Sequence, residues 1–105
     1  MKVIYKYKLE FKDKQVLELP KDFIPLRVDF QDGQLCLWAI VDPKKEKKNH
    51  DFYIVGTGWV RNNLDKLNYI STVFETLEMT DDDMANMKPF KQNFVWHIFY
   101  SEVQL

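Results

Sequence analysis

Residues 24–59 read IPLRVDFQDGQLCLWAIVDPKKEKKNHDFYIVGTGW, three apolar runs joined by one tight turn and one lysine-rich connector. Asp32-Gly33, set between two alternating runs, signals a hairpin, because a type I′ turn needs positive φ at both central residues. The turn sets a register in which Phe30 faces Leu35, Val28 faces Leu37 and Leu26 faces Ala39. All six are apolar and are expected on the core face. The opposite face pairs Asp29 with Cys36 and Arg27 with Trp38, and a fully solvated face would be more polar than that. Part of it is therefore expected to be covered. After Asp42-Pro43, residues 44–49 form a basic exposed connector. Residues 50–56 are expected to make a further strand antiparallel to residues 35–41. Both Phe52/Ile54 and Tyr53/Val55 are apolar, so this strand is expected to be buried on two faces and to end at Gly56-Thr57-Gly58.

Working outward, Val3, Tyr5, Tyr7, Leu9 and Phe11 alternate with Ile4, Lys6, Lys8 and Glu10, the period of a half-buried strand. A three-residue loop at Lys12, Asp13 and Lys14 would place Leu9 opposite Leu17, Tyr7 opposite Leu19 and Lys8 opposite Glu18. Pro20 and Pro25 bracket a connector whose Phe23 is expected in the core. Residues 62–67 read as a turn with at most one helical turn, and residues 69–75 and 94–100 as strands. Thr80 with Asp81, Asp82 and Asp83 predicts a capped helix carrying Met84 and Met87 and ending before Pro89. Seven strand candidates and one or two short helices predict a mainly β chain, a single-domain antiparallel β-sandwich or small barrel.

With 105 residues, the chain is one domain's worth. Its 46% hydrophobic and 15% aromatic content is that of a folded domain, since a disordered chain lacks the apolar residues to offset ordering entropy. The formal net charge of −1 gives no strong field toward DNA, RNA or anionic lipid, so nucleic acid is not an expected partner. Cys36 stands alone inside an apolar run and reads as a buried thiol of a reducing compartment. The opening alternation differs from the continuous apolar stretch of a signal peptide, and no window approaches a membrane span. A soluble, cytoplasmic protein without a membrane partner is expected.

Nucleophilic catalysis needs a base beside the nucleophile and a third, orienting group. Cys36 reads as a buried hydrophobe and His97, within an aromatic run, as a hydrogen-bonded sheet histidine, so no catalytic residue is assigned and no enzyme is expected. His50-Asp51 falls short of a zinc ligand set, and the Asp81 to Asp83 run lacks the Gly and Glu of an EF-hand, so neither metal nor cofactor is expected. Gly56-Thr57-Gly58 lacks the Gly-Lys-Ser/Thr of a phosphate loop. Lys44, Lys45, Lys47 and Lys48 read as a solvated tip able to grip phosphates or an acidic partner. Trp and Arg are the residues most enriched at binding hot spots, so Arg27, Trp38 and Trp59 join the four lysines as partner-binding candidates.

Read in order, IYKY, DGQLCLWAIVDP, VGTGW, YISTVF and FVWHIFY resemble an uncharacterised family of small proteins encoded by bacteriophages and prophages, across nearly the whole chain. Similar sequences carry His-Pro after VGTG, where this chain has Trp59-Val60, so no histidine chemistry is expected there. The resemblance implies expression in an infected bacterium. The missing catalytic constellation then favours a non-enzymatic phage accessory protein that binds a host protein, a defence component among the candidates. The alternatives are an oligomeric sponge that sequesters a nucleotide ligand and a minor virion structural protein. A homo-oligomer is expected because several strands are apolar on both faces.

Overall fold

The computed structural model describes residues 1–79 and 90–101. Its strands are β1 (Val3–Lys8), β2 (Lys14–Pro20), β3 (Ile24–Gln31), β4 (Gln34–Val41), β5 (Lys47–Gly56), β6 (Asn68–Met79) and β7 (Phe90–Ser101). A single 3₁₀ turn, Leu64–Lys66, is the helical element among the described residues. The expected capped helix after Thr80 lies outside them. The strands form two antiparallel sheets, one ordered β1-β4-β3 and the other β2-β5-β7-β6. The mainly β, antiparallel fold is as expected, in the form of two sheets sharing one core.

That core lies between the sheets. Leu35, Leu37, Ala39 and Val41 of β4 share one buried cluster with Phe52 and Ile54 of β5, Val73 of β6, Ile98 of β7, Val28, Leu19, Leu9 and Phe23. Each fully buried Leu, Ile, Val or Phe side chain contributes about 1.5–3 kcal/mol. At one corner β3 lies against β6, and the Val28 N–H donates to the Ser71 hydroxyl at 2.9 Å. A bulge between Tyr69 and Ser71 bends β6 at that point.

The hairpin of β3 and β4 forms around Asp32 and Gly33, both at positive φ (51° and 79°). Phe30 pairs with Leu35, Val28 with Leu37, Asp29 with Cys36 and Arg27 with Trp38, as the turn demanded. The expected pairing of Leu26 with Ala39 is displaced. Pro25 stands opposite Ala39 and Leu26 falls in a bulge, exposed. Proline has no N–H for the ladder, which makes this the place where the strand can slip.

Two expected pairings are corrected. β1 pairs with β4 instead of β2, and β5 pairs with β2 and β7 instead of β4. Leu9 N–H still donates to Leu35 O in the first sheet, whereas Asp13 O accepts from Ile54 N–H in the second, so residues 9–13 carry the chain between sheets. The connector at residues 42–46 does the same, tied by Lys21 N–H to Glu46 O. Alternation specifies which face of a strand meets the core, and that face is satisfied equally by a neighbour in the same sheet or by one across the core.

The chain from β5 to β6 must pass β7, because Gly56 lies beside Trp96 while Asn68 lies beside Tyr100. It runs over the outer face of the larger sheet. Thr57 Oγ1 is 2.8 Å from His97 Nε2, Thr72 Oγ1 is 2.9 Å from His97 Nδ1, and Arg61 lies over the Tyr53 ring at 4.7 Å. His97 is thus the hydrogen-bonded sheet histidine expected, pinning the crossover to β6. This crossover explains why Tyr53 and Val55 can be apolar on an outward face. Trp59 turns back onto Gly56, whose missing Cβ would meet the indole at 2.8 Å.

Two stability changes follow. His97→Ala removes both hydroxyl contacts and is expected to cost about 1–2 kcal/mol in urea unfolding; an unchanged midpoint would contradict the pinning role. Gly56→Ala forces the Trp59 ring off the backbone, with an expected loss of about 1–3 kcal/mol and a shift in tryptophan emission. Neither change would occur if Trp59 did not rest there.

Candidate functional site

The outer face of the smaller sheet has no crossover over it among the described residues, and its side chains are ordered by register into three rows. Ile4, Ile40 and Ile24 form the first, Lys6, Trp38 and Arg27 the second, and Lys8, Cys36 and Asp29 the third. Ile4 is 57% exposed and Ile24 48%, with Ile40 and Trp38 half-buried beside them. Cross-strand neighbours on one face sit about 4.5–5.5 Å apart, so the three isoleucines make one continuous strip. Sheets that face water alternate toward polar residues on that side, and this strip departs from that pattern.

Charges frame the strip. The Arg27 guanidinium pairs with Asp29, and Lys6 Nζ donates to Gln31 Oε1 at 2.8 Å. The Asp29 carboxyl is held below the usual carboxylate range, chiefly by the Phe30 N–H, which outweighs the opposing effect of burial, and then by the hydrogen bond and charge of Arg27. Cys36 is buried, its Sγ 3.4 Å from Gln34 O, which removes it as an exposed nucleophile.

The seven expected partner-binding residues separate into four places. Arg27 and Trp38 are central to the face just described. Lys44 and Lys45 belong to the turn that follows β4, and Lys45 reaches a shallow hollow that Ile24 and Ile40 also line. Lys45 Nζ pairs with Asp22 at 3.1 Å. Lys47 and Lys48, expected on the loop, instead open β5, opposite Pro20 and Leu19. Trp59 stands apart, at the other end of β5, a strand long enough to span about 30 Å. It is 52% exposed and meets Trp96 edge to face at 5.4 Å.

The isoleucine strip was missed by sequence reasoning. Its signal was Ile4, an apolar residue among the lysines and the glutamate of the outward-facing positions of the first strand. Among the described residues, no three His, Cys, Asp or Glu side chains are grouped to hold a metal ion, and no helix is long and apolar enough to cross a membrane.

No curated protein and no solved structure matches this chain. A family model does, over residues 1–80, which takes in β1 to β6 and ends before β7. The chain belongs to the family described as a domain of unknown function, DUF7352.

Proposed function

We propose that the protein is a non-enzymatic binding protein that docks another protein through the outer face of the β1-β4-β3 sheet. The observation that carries this is the Ile4, Ile40, Ile24 strip, beside the row of Lys6, Trp38 and Arg27. An apolar strip with an arginine and a tryptophan next to it has the composition of an interface centre, with the charged residues serving as rim. Lys2, Lys6, Lys8, Lys21, Arg27 and Lys45 surround it against Asp22, Asp29 and Asp42, so the complementary surface is apolar with an acidic margin. In the phage-encoded setting that the sequence resemblance implies, that surface belongs to a host protein.

The double variant Ile4→Asp/Ile24→Asp tests the reading, because both side chains are exposed and the change is expected to alter folding stability by no more than about 1 kcal/mol. Affinity capture from a bacterial host lysate is expected to yield a stoichiometric partner with the wild type and about a hundredfold weaker binding with the variant. Equal capture by both would sink the proposal. Light scattering on the same samples reports the other occupant of the face. A wild-type mass of twice the 12.7 kDa chain that falls to one chain in the variant would assign the strip to a second copy.

A further inference from the structure

The inward positions of β5 run Ile54, Phe52, His50, Lys48 toward the mouth of the sandwich. Ile54 and Phe52 are core residues. The next two positions on the same face carry an imidazole only 8% exposed and an ammonium. A core face that reaches its rim can end in any polar residue facing water. Here the two polar groups instead border a concave space. The Phe23 ring, itself buried, packs against His50 edge to face at 4.8 Å. The turn between β2 and β3 brings the exposed Lys21 and Asp22 to the rim of that space, with Asp22 at a positive φ of 62°. The resulting cleft, lined by Lys21, Asp22, Phe23, Lys48 and His50, has a volume of about 220 Å³.

The charge balance of the cleft selects its ligand. Two lysines and one imidazole face a single carboxylate, and Asp22 is already engaged by Lys45, which reaches it from the turn after β4. The hydrogen bond from Lys45 and that lysine's charge hold the Asp22 carboxyl below the usual range, with Lys21 and Lys48 adding to the effect. The two cleft lysines thus share one space with a single carboxylate. A cation would be repelled. A phosphate dianion offers enough acceptor oxygens to take several donors at once, and each ammonium supplies three. A space of this size is small beside the area that a folded partner covers, and the isoleucines of the docking strip do not line it.

We propose that this cleft binds the phosphate group of a small phosphomonoester, with Lys48 and Lys21 as counter-charges and His50 as a further polar contact from the cleft wall. The cleft shares Lys21 and Asp22 with the rim of the docking face, but the isoleucines belong to the face alone and Lys48 and His50 to the cleft alone, so either site can fail alone.

Calorimetric titration of the full chain with inorganic phosphate and with adenosine monophosphate, each against sodium chloride of equal ionic strength, tests the assignment. Saturable binding of at least one phosphate probe, absent with chloride, is expected, about tenfold weaker or more in Lys48→Met and unchanged in Lys12→Met, which alters an exposed lysine outside the cleft. Tighter binding of the nucleotide than of phosphate would show that the organic part also touches the walls; equal binding would confine recognition to the phosphate. If Lys48→Met does not fold, Lys21→Gln serves in its place, and amide shift changes in the wild type locate the probe at Phe23, Lys48 and His50. Binding that survives both lysine changes, shift changes elsewhere, or responses no greater than with chloride would overturn the proposal.

Discussion

The inner face of β4 is what the rest of the molecule depends on. Leu35, Leu37, Ala39 and Val41 are all buried there, in the middle strand of the smaller sheet. Three strands with one apolar face cannot stay in water by themselves without exposing that face. The larger sheet supplies the cover, and Phe52, Ile54, Val73 and Ile98 meet the β4 residues across the core. The order of the chain follows from the need to build both layers at once. Residues 9–13, 21–23 and 42–46 each cross from one sheet to the other, so neither layer is complete until the second is present. Most of the contacts that hold the fold are accordingly distant in sequence, a topology in which loop closure precedes reward.

What could be read from the amino acids was the inward face of the strands that alternate cleanly. Asp32-Gly33 pinned most of the β3 and β4 register because turn chemistry is local, whereas β5, apolar on both faces, left the choice between Phe52/Ile54 and Tyr53/Val55 open. Which strand lay beside which was not legible. Leu17 and Leu19 face the core from β2 whether their neighbour is β1 or β5, so the alternation that defined them carried no information about pairing. The bulge at Leu26 was hidden for a related reason. Pro25 marked a weak point in the ladder, but the direction of the slip depends on how β3 meets β4 and β6 together.

The two outward faces show why an apolar residue on a strand has to be judged by what crosses over it. On the larger sheet, Tyr53 and Val55 suggested burial against another subunit, and the crossover at residues 57–67 supplies part of that cover from within the chain. On the smaller sheet, Trp38 and Arg27 gave the same impression, and there no crossover lies over them among the described residues. Similar sequence patterns on the two sheets thus have different causes. The register, by aligning Ile4 with Ile40 and Ile24, gives the smaller sheet a continuous apolar row, whereas the larger sheet exposes Val16, Tyr69 and Phe74 away from its crossover.

The lysines were legible as a group and illegible in their roles. Lys44, Lys45, Lys47 and Lys48 look equivalent in the sequence, yet the start of β5 falls among them and gives each a different setting. Lys48 takes an inward position in line with His50 and Phe52, whereas Lys45 remains on the turn and meets Asp22. An exposed ion pair of this kind adds little to stability, because water and salt screen it and two long side chains must be held still. Its effect is on the local field. Asp22 answers three lysines at once, pairing with Lys45 while Lys21 and Lys48 border the same cleft, so one carboxylate is set against three positive charges. The contact between the two loops therefore lies where the apolar hollow and the cationic cleft meet, both of them lined by Lys21 and Asp22.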